Sequence, residues 1–267
     1  MTEPRVLTEI DGPIAYVTLN RPDKLNGVDL ELIDELIAAA EALRGNRDIR
    51  AVVLQGSGRS FCAGLDFGAA FKDKRRVARF FFAGPRMVNR FQKVTAIWRD
   101  LPVPVVAVVH GHCYGAGVQL AAGADLRFTT PDATWSILEA KWGLVPDMAG
   151  TVPFGELLPA DVVMRLSMTG ESITGKRAVE LGLATEVSDD PLKAALGFIE
   201  QIIERSPDSV AATKRLLYAN RHQSLRKAYR LERRLQAAMF KSKNTTIARR
   251  AGMAKESPAF GPRTYGP

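Results

Sequence analysis

Two glycine-bearing loops decide the fold of this chain, and each follows an apolar run. Residues 51–66 read AVVLQGSGRSFCAGLD, and residues 105–120 read VVAVVHGHCYGAGVQL. The runs at 51–54 and 105–109 are rich in β-branched residues, so we expect both to form buried strands. Glycine allows a tight turn and lets a ligand approach the backbone closely. Two such turns at neighbouring strand ends are suited to aim two peptide N–H groups at one oxygen, an arrangement called an oxyanion hole.

Length and composition indicate a globular protein with one large core. The chain has 267 residues, 46% of them hydrophobic, and no stretch approaches the roughly 20 apolar residues of a membrane span. Residues 1–5 lack the charged and apolar regions of a secretory signal. Both cysteines, Cys62 and Cys113, lie inside the two loops, so we expect no disulfide framework and a cytoplasmic location. The three histidines form no metal-ligand pattern with the cysteines or acids, so no metal is expected.

The charge balance favours an anionic partner. The formal net charge is +8, and much of the excess lies between Arg226 and Arg250. Nucleic acid and a phosphate-bearing small molecule both fit this charge. The basic segment is also typical of a plain solvated helical face.

The order of the predicted elements indicates an α/β core that is followed by helices alone. Residues 5–20 alternate in polarity and predict a β-hairpin, and Asp29 is predicted to cap an amphipathic helix. Residues 74–99 are predicted as one helical stretch, broken by the prolines that follow. We therefore divide the chain into a core at residues 1–200 and a helical C-terminal region at residues 201–267.

Five segments carry a further pattern of order and spacing: Leu19–Asn26 (LNRPDKLN), Phe61–Asp66 (FCAGLD), His110–Leu120 (HGHCYGAGVQL), Ala124–Arg127 (ADLR) and Trp142–Asp147 (WGLVPD). In these segments the chain resembles the crotonase (enoyl-CoA hydratase/isomerase) superfamily. The resemblance implies an α/β fold, a crotonase-like spiral of ββα turns with a helical C-terminal trimerisation extension. It implies a homotrimer, or a hexamer built as a dimer of trimers. It also implies an acyl-CoA thioester substrate, with coenzyme A as part of that substrate and no separate cofactor.

The resemblance assigns the oxyanion hole to two backbone amides. By position these are the N–H groups of Leu65 and Ala116. The family usually has glycine at the second place, but alanine keeps the N–H group provided that its φ is not positive. Donors aimed at a thioester oxygen gain strength as that oxygen becomes negative, so they lower the barrier to enolate formation.

The resemblance also points to the acids that move protons. Hydratases of this family use two glutamates, and the first position is Gln119 here, whose amide has no useful proton affinity near neutral pH. The second position matches Glu139. Asp147 stands where several isomerases of the family place an acid, and its apolar neighbours are expected to raise its pKa by desolvation. Glu139, Asp147 or both are therefore predicted to move a proton along the acyl chain, which favours double-bond isomerisation over hydration.

Substrate contacts are likewise predicted by family position. Gln119 is expected to hold a water molecule or to orient a neighbour beside the substrate. Phe71, Phe81 and Trp142 are expected in the wall of the acyl pocket.

Family position also predicts contacts of the coenzyme A moiety. Backbone groups of Lys24 and Leu25 are expected near the adenine, with Ala63 and Asp66 on the same side. Phe240 matches an aromatic residue that reaches the adenine from a neighbouring subunit in this family.

Other functions stay open at this point. One is an enoyl-CoA hydratase of fatty-acid β-oxidation, and another is a different reaction of the same enolate, namely dehalogenation, decarboxylation or thioester hydrolysis. Asp147 leaves room for the latter, since an aspartate at that place acts as a nucleophile in some members. A basic RNA-binding protein on the same scaffold is a remote alternative, because no RNP-type aromatic strand or arginine-rich tract supports it.

Overall fold

A computed structural model of the protein describes residues 3–70, 72–82 and 87–266. Within these ranges no helix has both the length and the apolar composition needed to cross a bilayer. Short 3₁₀ turns lie at Pro22–Lys24 and Glu139–Trp142. The strands are β1 (Val6–Asp11), β2 (Ile14–Leu19), β3 (Ala51–Gly56), β4 (Val105–Val109), β5 (His112–Tyr114), β6 (Leu126–Thr129), β7 (Thr134–Ser136), β8 (Ile173–Thr174) and β9 (Glu186–Val187). The helices are α1 (Leu30–Arg44), α2 (Phe67–Ala70), α3 (Lys74–Phe81), α4 (Arg90–Arg99), α5 (Ala116–Ala122), α6 (Thr151–Leu157), α7 (Ala160–Thr169), α8 (Gly175–Leu181), α9 (Pro191–Ile203), α10 (Pro207–Asn220), α11 (Leu225–Lys241) and α12 (Lys243–Ala254).

The strands of the described residues form two sheets. The larger has the order β1-β2-β3-β4-β6-β9, and the smaller has the order β5-β7-β8. β1 and β2 form the predicted antiparallel hairpin, and the other neighbours in the larger sheet run parallel. β3 and β4 are direct neighbours, with Val53 opposite Val106. Both glycine loops therefore begin at the carboxyl ends of two neighbouring parallel strands, as the sequence predicted.

The central strands β3 and β4 of the larger sheet are buried on both faces, as their apolar runs indicate. Val52 and Leu54 of β3 join the main core, together with Trp98 of α4. Val53, between them, points to the opposite face and packs in a second core with Ile199 of α9. Alternate side chains of one strand thus serve two cores, which makes the sheet a rigid base for the loops at its edge.

The prediction of one helical stretch at 74–99 is wrong. The structure has two helices, and α4 begins afresh at Arg90. Asn89 accepts a hydrogen bond from the backbone of Gln92 at 2.8 Å, and the Gln92 side chain accepts one from the Asn89 backbone at 3.0 Å. This capping box starts a new helix and was readable in the sequence. The predicted cap of α1 by Asp29 is confirmed.

The C-terminal helices form a small core of their own. Ala212 of α10 packs there with Leu235 and Met239 of α11. The predicted division at residue 200 falls in the last turn of α9, a helix that packs on the larger sheet, and the division stays a prediction. After α12 the chain runs back to the end of α1, where the backbone N–H of Arg263 donates to the carbonyl of Arg47 at 2.9 Å.

Asp208, near the start of α10, fastens this returning tail. Its buried carboxylate accepts from the backbone of Thr264 at 2.5 Å and of Tyr265 at 2.7 Å. The side chains of Ser242 and Asn244 also donate to it, at 2.5 and 3.1 Å. Burial alone raises the pKa of this carboxyl, but these hydrogen bonds outweigh burial and hold the pKa below its ordinary value.

We expect Asp208→Ala to lower the free energy of unfolding at pH 7 by about 2–3 kcal/mol, because several buried donors lose their acceptor. Since the folded-state pKa is lowered, this contribution is present at neutral pH and is lost as the pH falls through that pKa. Urea unfolding at pH 7 measures the loss, and Asp189→Ala, at an exposed position, is the control. Equal unfolding midpoints for the two variants would contradict the role of Asp208.

Candidate active site

A cavity of about 420 Å³ opens between the two glycine loops and the segment that follows β7. Its wall is mainly apolar and includes two carboxylates. It brings together eight of the residues that the sequence singled out: Ala63, Leu65, Phe81, Ala116, Gln119, Glu139, Trp142 and Asp147.

The two loops are joined to each other by backbone hydrogen bonds. The amides of Phe61 and Cys62 donate to the carbonyls of His110 and His112, at 2.8 and 2.9 Å. The amide of Tyr114 donates back to the carbonyl of Cys62 at 3.0 Å. This short parallel pairing extends the contact of β3 and β4 beyond the edge of the sheet, so the two loops form one unit.

Each loop then turns at a glycine that has a positive φ. Gly64 has a φ of +97°, and Gly115 has a φ of +48° with a ψ of −112°. A Cβ at Gly64 would lie 3.1 Å from the carbonyl oxygen of Tyr114. A residue with a side chain would be strained in either conformation, so both turns require glycine. The direction of each turn determines where the next peptide N–H points. Those next residues are Leu65 and Ala116.

The amides of Leu65 and Ala116 have no hydrogen-bond acceptor among the described residues. Neither N–H donates to any residue in the described ranges, although both residues line the cavity. Ala116 is the first residue of α5, where the helix has unpaired N–H groups and a positive dipole end. Its φ is not positive, so alanine is accommodated where the family usually has glycine. Such an arrangement is suited to bind an oxygen that gains negative charge.

Glu139 contributes a buried carboxyl group to the cavity. The residue is 8% exposed, and its Oε1 accepts from Nε2 of Gln119 at 2.6 Å. Its Oε2 is buried and has no hydrogen-bond partner among the described residues. Burial raises the pKa of this carboxyl, the hydrogen bond from Gln119 opposes the shift, and the nearby Asp147 charge adds to it. A raised pKa and a free oxygen suit a group that takes and returns a proton.

Asp147 lies on the same cavity, in the segment between the 3₁₀ turn and α6. The residue as a whole is exposed, but partial burial of its carboxyl raises the pKa of that group, in the direction that the apolar neighbours in the sequence predicted. The cavity thus holds two carboxyl groups that desolvation shifts in the same direction.

Gln119 stands between these two acids. It is 1% exposed, and its side-chain Oε1 accepts from the backbone of Met148 at 2.9 Å and of Gly150 at 3.1 Å. Its Nε2 donates to Glu139 as described above. Both ends of the amide are therefore bonded within the protein, and the role of Gln119 beside the substrate stays a prediction.

The residues predicted to lie near coenzyme A form one group beside the first loop. The backbone N–H of Ala63 donates to the carbonyl of Leu25 at 2.9 Å. Asp66 pairs with Arg21 at 3.0 Å. Burial alone raises the pKa of Asp66, but Arg21 and the charge of Lys24 leave it below its ordinary value. Of the four predicted residues, Ala63 lines the cavity, and their contact with adenine stays a prediction.

The remaining predicted positions lie apart from this group. Phe81 and Trp142 line the cavity and are 50% and 59% exposed, so both present ring surface to a ligand. Phe71 lies outside the described residues. Phe240 lies instead in a second cavity of about 570 Å³ between α10 and α11, and is 71% exposed. A single chain therefore does not bring Phe240 to the first cavity.

Several cavity residues were not assigned there from the sequence. Phe67 packs against Trp142 with ring centroids 5.1 Å apart, which extends the aromatic wall. The apolar spacing of the segment around Trp142 was the available signal, but it does not say which residues turn inwards. The sequence offers Phe67 and Tyr114 as candidates for the wall without deciding between the wall and plain packing, and it predicts no place in the cavity for Leu138, Leu144, Val145 and Met148.

The two cysteines are poor candidates for nucleophiles. Both are fully buried, and burial raises the pKa of Cys62 to about 12 and that of Cys113 well above its usual range. Thiols in this state are inert side chains of the core. Among the described residues, no group of three or more His, Cys, Asp or Glu side chains is arranged to hold a metal ion.

Known proteins with similar sequences and structures match most of this chain. A relative from Thauera aromatica, (E)-benzylidenesuccinyl-CoA hydratase, is 31% identical over 212 residues, which are 78% of this chain and 80% of the relative. Carnitinyl-CoA dehydratase of Salmonella arizonae is 32% identical over 233 residues, 86% of each chain. The structure of an enoyl-CoA hydratase from Mycobacterium smegmatis superposes with a TM-score of 0.87 at 27% identity, over 96% of this chain and 99% of the other.

The sequence profile of one family covers nearly the whole chain. The profile, described as enoyl-CoA hydratase/isomerase, matches residues 9–262. That range includes both glycine loops, the buried glutamate and the C-terminal helices. The chain therefore belongs to the enoyl-CoA hydratase/isomerase (crotonase) family.

Proposed function

We propose that this protein acts on acyl-CoA thioesters, that it stabilises a thioester enolate between the amides of Leu65 and Ala116, and that it moves a proton with Glu139 and Asp147. Isomerisation of a carbon–carbon double bond is the reaction that we favour. The observation that carries the proposal is the buried Oε2 of Glu139, which has no partner in the described chain and borders the same cavity as the two unengaged amides.

The oxyanion hole supplies the electrostatic part of this reaction. Loss of a proton from C2 of the acyl group places negative charge on the thioester oxygen. Two fixed N–H groups, one of them at the positive end of α5, bind that charge more strongly than they bind the neutral carbonyl. The loops are already held by backbone hydrogen bonds, so little reorganisation is needed during the reaction.

The two carboxyl groups supply the proton transfer. In the conversion of a 3-enoyl-CoA to a 2-enoyl-CoA, ionised Glu139 takes the proton from C2 and a dienolate forms. Protonated Asp147 then gives a proton to C4, and a proton passes from Glu139 to Asp147 to restore both groups. No atom is gained or lost overall. Burial raises the pKa of each acid, so each holds a proton more readily than an exposed carboxyl does.

Hydration or dehydration is the second candidate, because the relatives from Thauera aromatica and Salmonella arizonae are named hydratase and dehydratase. Water addition needs a base that activates water at C3. In this chain the amide of Gln119 stands where hydratases have their first glutamate, and an amide does not take up a proton at neutral pH. This difference is our reason for ranking isomerisation first.

Binding and assembly are proposed on the same basis. Lys24, Leu25, Ala63 and Asp66 would border the coenzyme A moiety, whose phosphates match the positive net charge. We also propose a homotrimer, or a hexamer made of two trimers, in which exposed Phe240 reaches the adenine held by a neighbouring subunit. A cytoplasmic location stays a proposal that rests on the sequence.

Replacing the Ala116 amide tests the oxyanion hole directly. Ala116→Pro removes the N–H group, and proline is tolerated at the first position of a helix. We expect kcat to fall about 100- to 1000-fold. Ala116→Gly keeps the N–H and is the matched control, with activity close to that of the wild type. Steady-state kinetics with 3-enoyl-CoA, together with circular dichroism of both variants, measure the effect; equal activity of the two variants would exclude this amide.

Glu139→Gln keeps the shape of the side chain and removes its proton affinity. We expect a loss of kcat of about 1000-fold, within the usual range for general acid–base groups. In the wild type, kcat should rise with pH through a pKa above 4.5, because the base must be ionised and burial raises its pKa. The exposed Glu200→Gln is the control. A Glu139→Gln enzyme with wild-type activity would rule out this base.

Asp147→Asn separates the two proton transfers. We expect isomerisation to fall at least about 100-fold, while exchange of the C2 proton with solvent deuterium continues, since Glu139 still acts there. In reactions of 3-enoyl-CoA and 2-enoyl-CoA, ultraviolet absorbance follows the double bond and mass spectrometry follows deuterium or water uptake. An unchanged mass with a shifted double bond supports isomerisation. A gain of one water by the wild type would instead establish hydration and overturn our ranking.

A further inference from the structure

The segment that carries Asp147 is strained and depends on one buried side chain. Ala149 has a φ of +62°, in the left-handed region that an alanine rarely occupies. The amides of its two neighbours, Met148 and Gly150, both donate to Oε1 of Gln119. With Ala149 in this conformation, the N–H groups on either side of it both point to the same oxygen. Gln119 thus holds in place the turn that directly follows Asp147.

From these contacts we infer that Gln119 is a positioning residue, whose amide links the Glu139 carboxylate to the Asp147 segment and fixes both acids in their working geometry. This inference rests on the proposed function, which assigns proton transfer to the two acids. It goes beyond that function because it gives a role to the residue that departs from the two-glutamate pattern.

Packing around the amide is matched to this role. A Cβ on Gly150 would lie 2.5 Å from Cγ of Gln119 and 2.8 Å from its Oε1. Only glycine therefore lets the segment approach closely enough for its amide to reach the side chain. Because Gln119 is 1% exposed, water has little access to replace either hydrogen bond.

The three hydrogen bonds of the Gln119 side chain also explain why an amide stands here rather than a carboxylate. The group must accept from Met148 and Gly150 with one end and donate to Glu139 with the other, and a neutral amide has one acceptor and one donor end. A carboxylate accepts at both ends. It would face the carboxylate of Glu139 across 2.6 Å, a contact that is stable only when the pair shares a proton.

Gln119→Glu tests this argument with almost no change in shape. At low and neutral pH, Glu139 and the new acid share one proton. This proton replaces the hydrogen bond that the Gln119 amide donates to Glu139, so we expect kcat within about tenfold of the wild type. As the pH rises and the pair loses this proton, repulsion separates the two groups. The kcat–pH profile should therefore gain an alkaline limb in addition to the one that ionisation of Asp147 gives the wild type, with KM changed less than about threefold. The exposed Gln201→Glu is the charge-matched control.

Gln119→Met keeps a side chain of similar length without its hydrogen bonds. We expect kcat to fall about 30- to 100-fold with little change in KM, and no new alkaline limb. We also expect faster deuterium uptake by the peptide that contains Met148 and Gly150, because both amides lose their acceptor. This exchange measurement needs no substrate, so it tests the link even if the reaction proposed above is wrong.

The possible failures are distinct. If the wild type turns over no enoyl-CoA, the proposed function fails while the exchange result still judges the link. If the wild type is active, a wild-type pH profile for Gln119→Glu together with a raised KM would overturn the positioning role in favour of direct substrate binding. Wild-type deuterium uptake in a folded Gln119→Met protein would likewise overturn it.

Discussion

The site depends on the backbone pairing of the two glycine loops past the end of the larger sheet. Three hydrogen bonds, centred on Cys62, keep one loop against the other. Both cysteines of the pairing are fully buried, so these bonds are shielded from water. The pairing brings Gly64 against Tyr114, next to Gly115, and the residues that follow the two glycines, Leu65 and Ala116, line one cavity. The proposed oxyanion hole depends on this pairing.

Desolvation is the second constraint, and it acts on groups that the pairing brings close. Glu139 is buried with one carboxyl oxygen satisfied by Gln119 and the other free. Leaving a buried acceptor unpaired costs stability, so such an atom in a well-packed site is a sign of function. The same burial raises the pKa of Glu139 and of Asp147, which moves both towards the range in which proton transfer is efficient. The cost in stability and the benefit in chemistry have one physical origin.

The rest of the fold supports this arrangement from a distance. The central strands of the larger sheet are covered on both faces, so the strand ends from which the loops leave have little freedom to move. The tail after α12 is fastened to Asp208 and to the end of α1, which joins the last residues to the first half of the chain. Gln119 and the strained turn at Ala149 perform a similar task on a smaller scale. The site is thus a set of local turns that longer-range contacts hold in place.

The sequence alone was sufficient for the two buried strands, the glycine turns, the cap at Asp29 and the family, since these depend on local spacing. It also pointed to Glu139 and Asp147, because the motif around them is short and continuous. The break between α3 and α4 was readable from the capping box at Asn89 and was missed. Tertiary structure alone decided that Gln119 spans Glu139 and Gly150, that Asp208 receives the tail, and which apolar residues face the cavity. These contacts join residues about 20 to 57 positions apart, and no local pattern encodes which distant groups will meet.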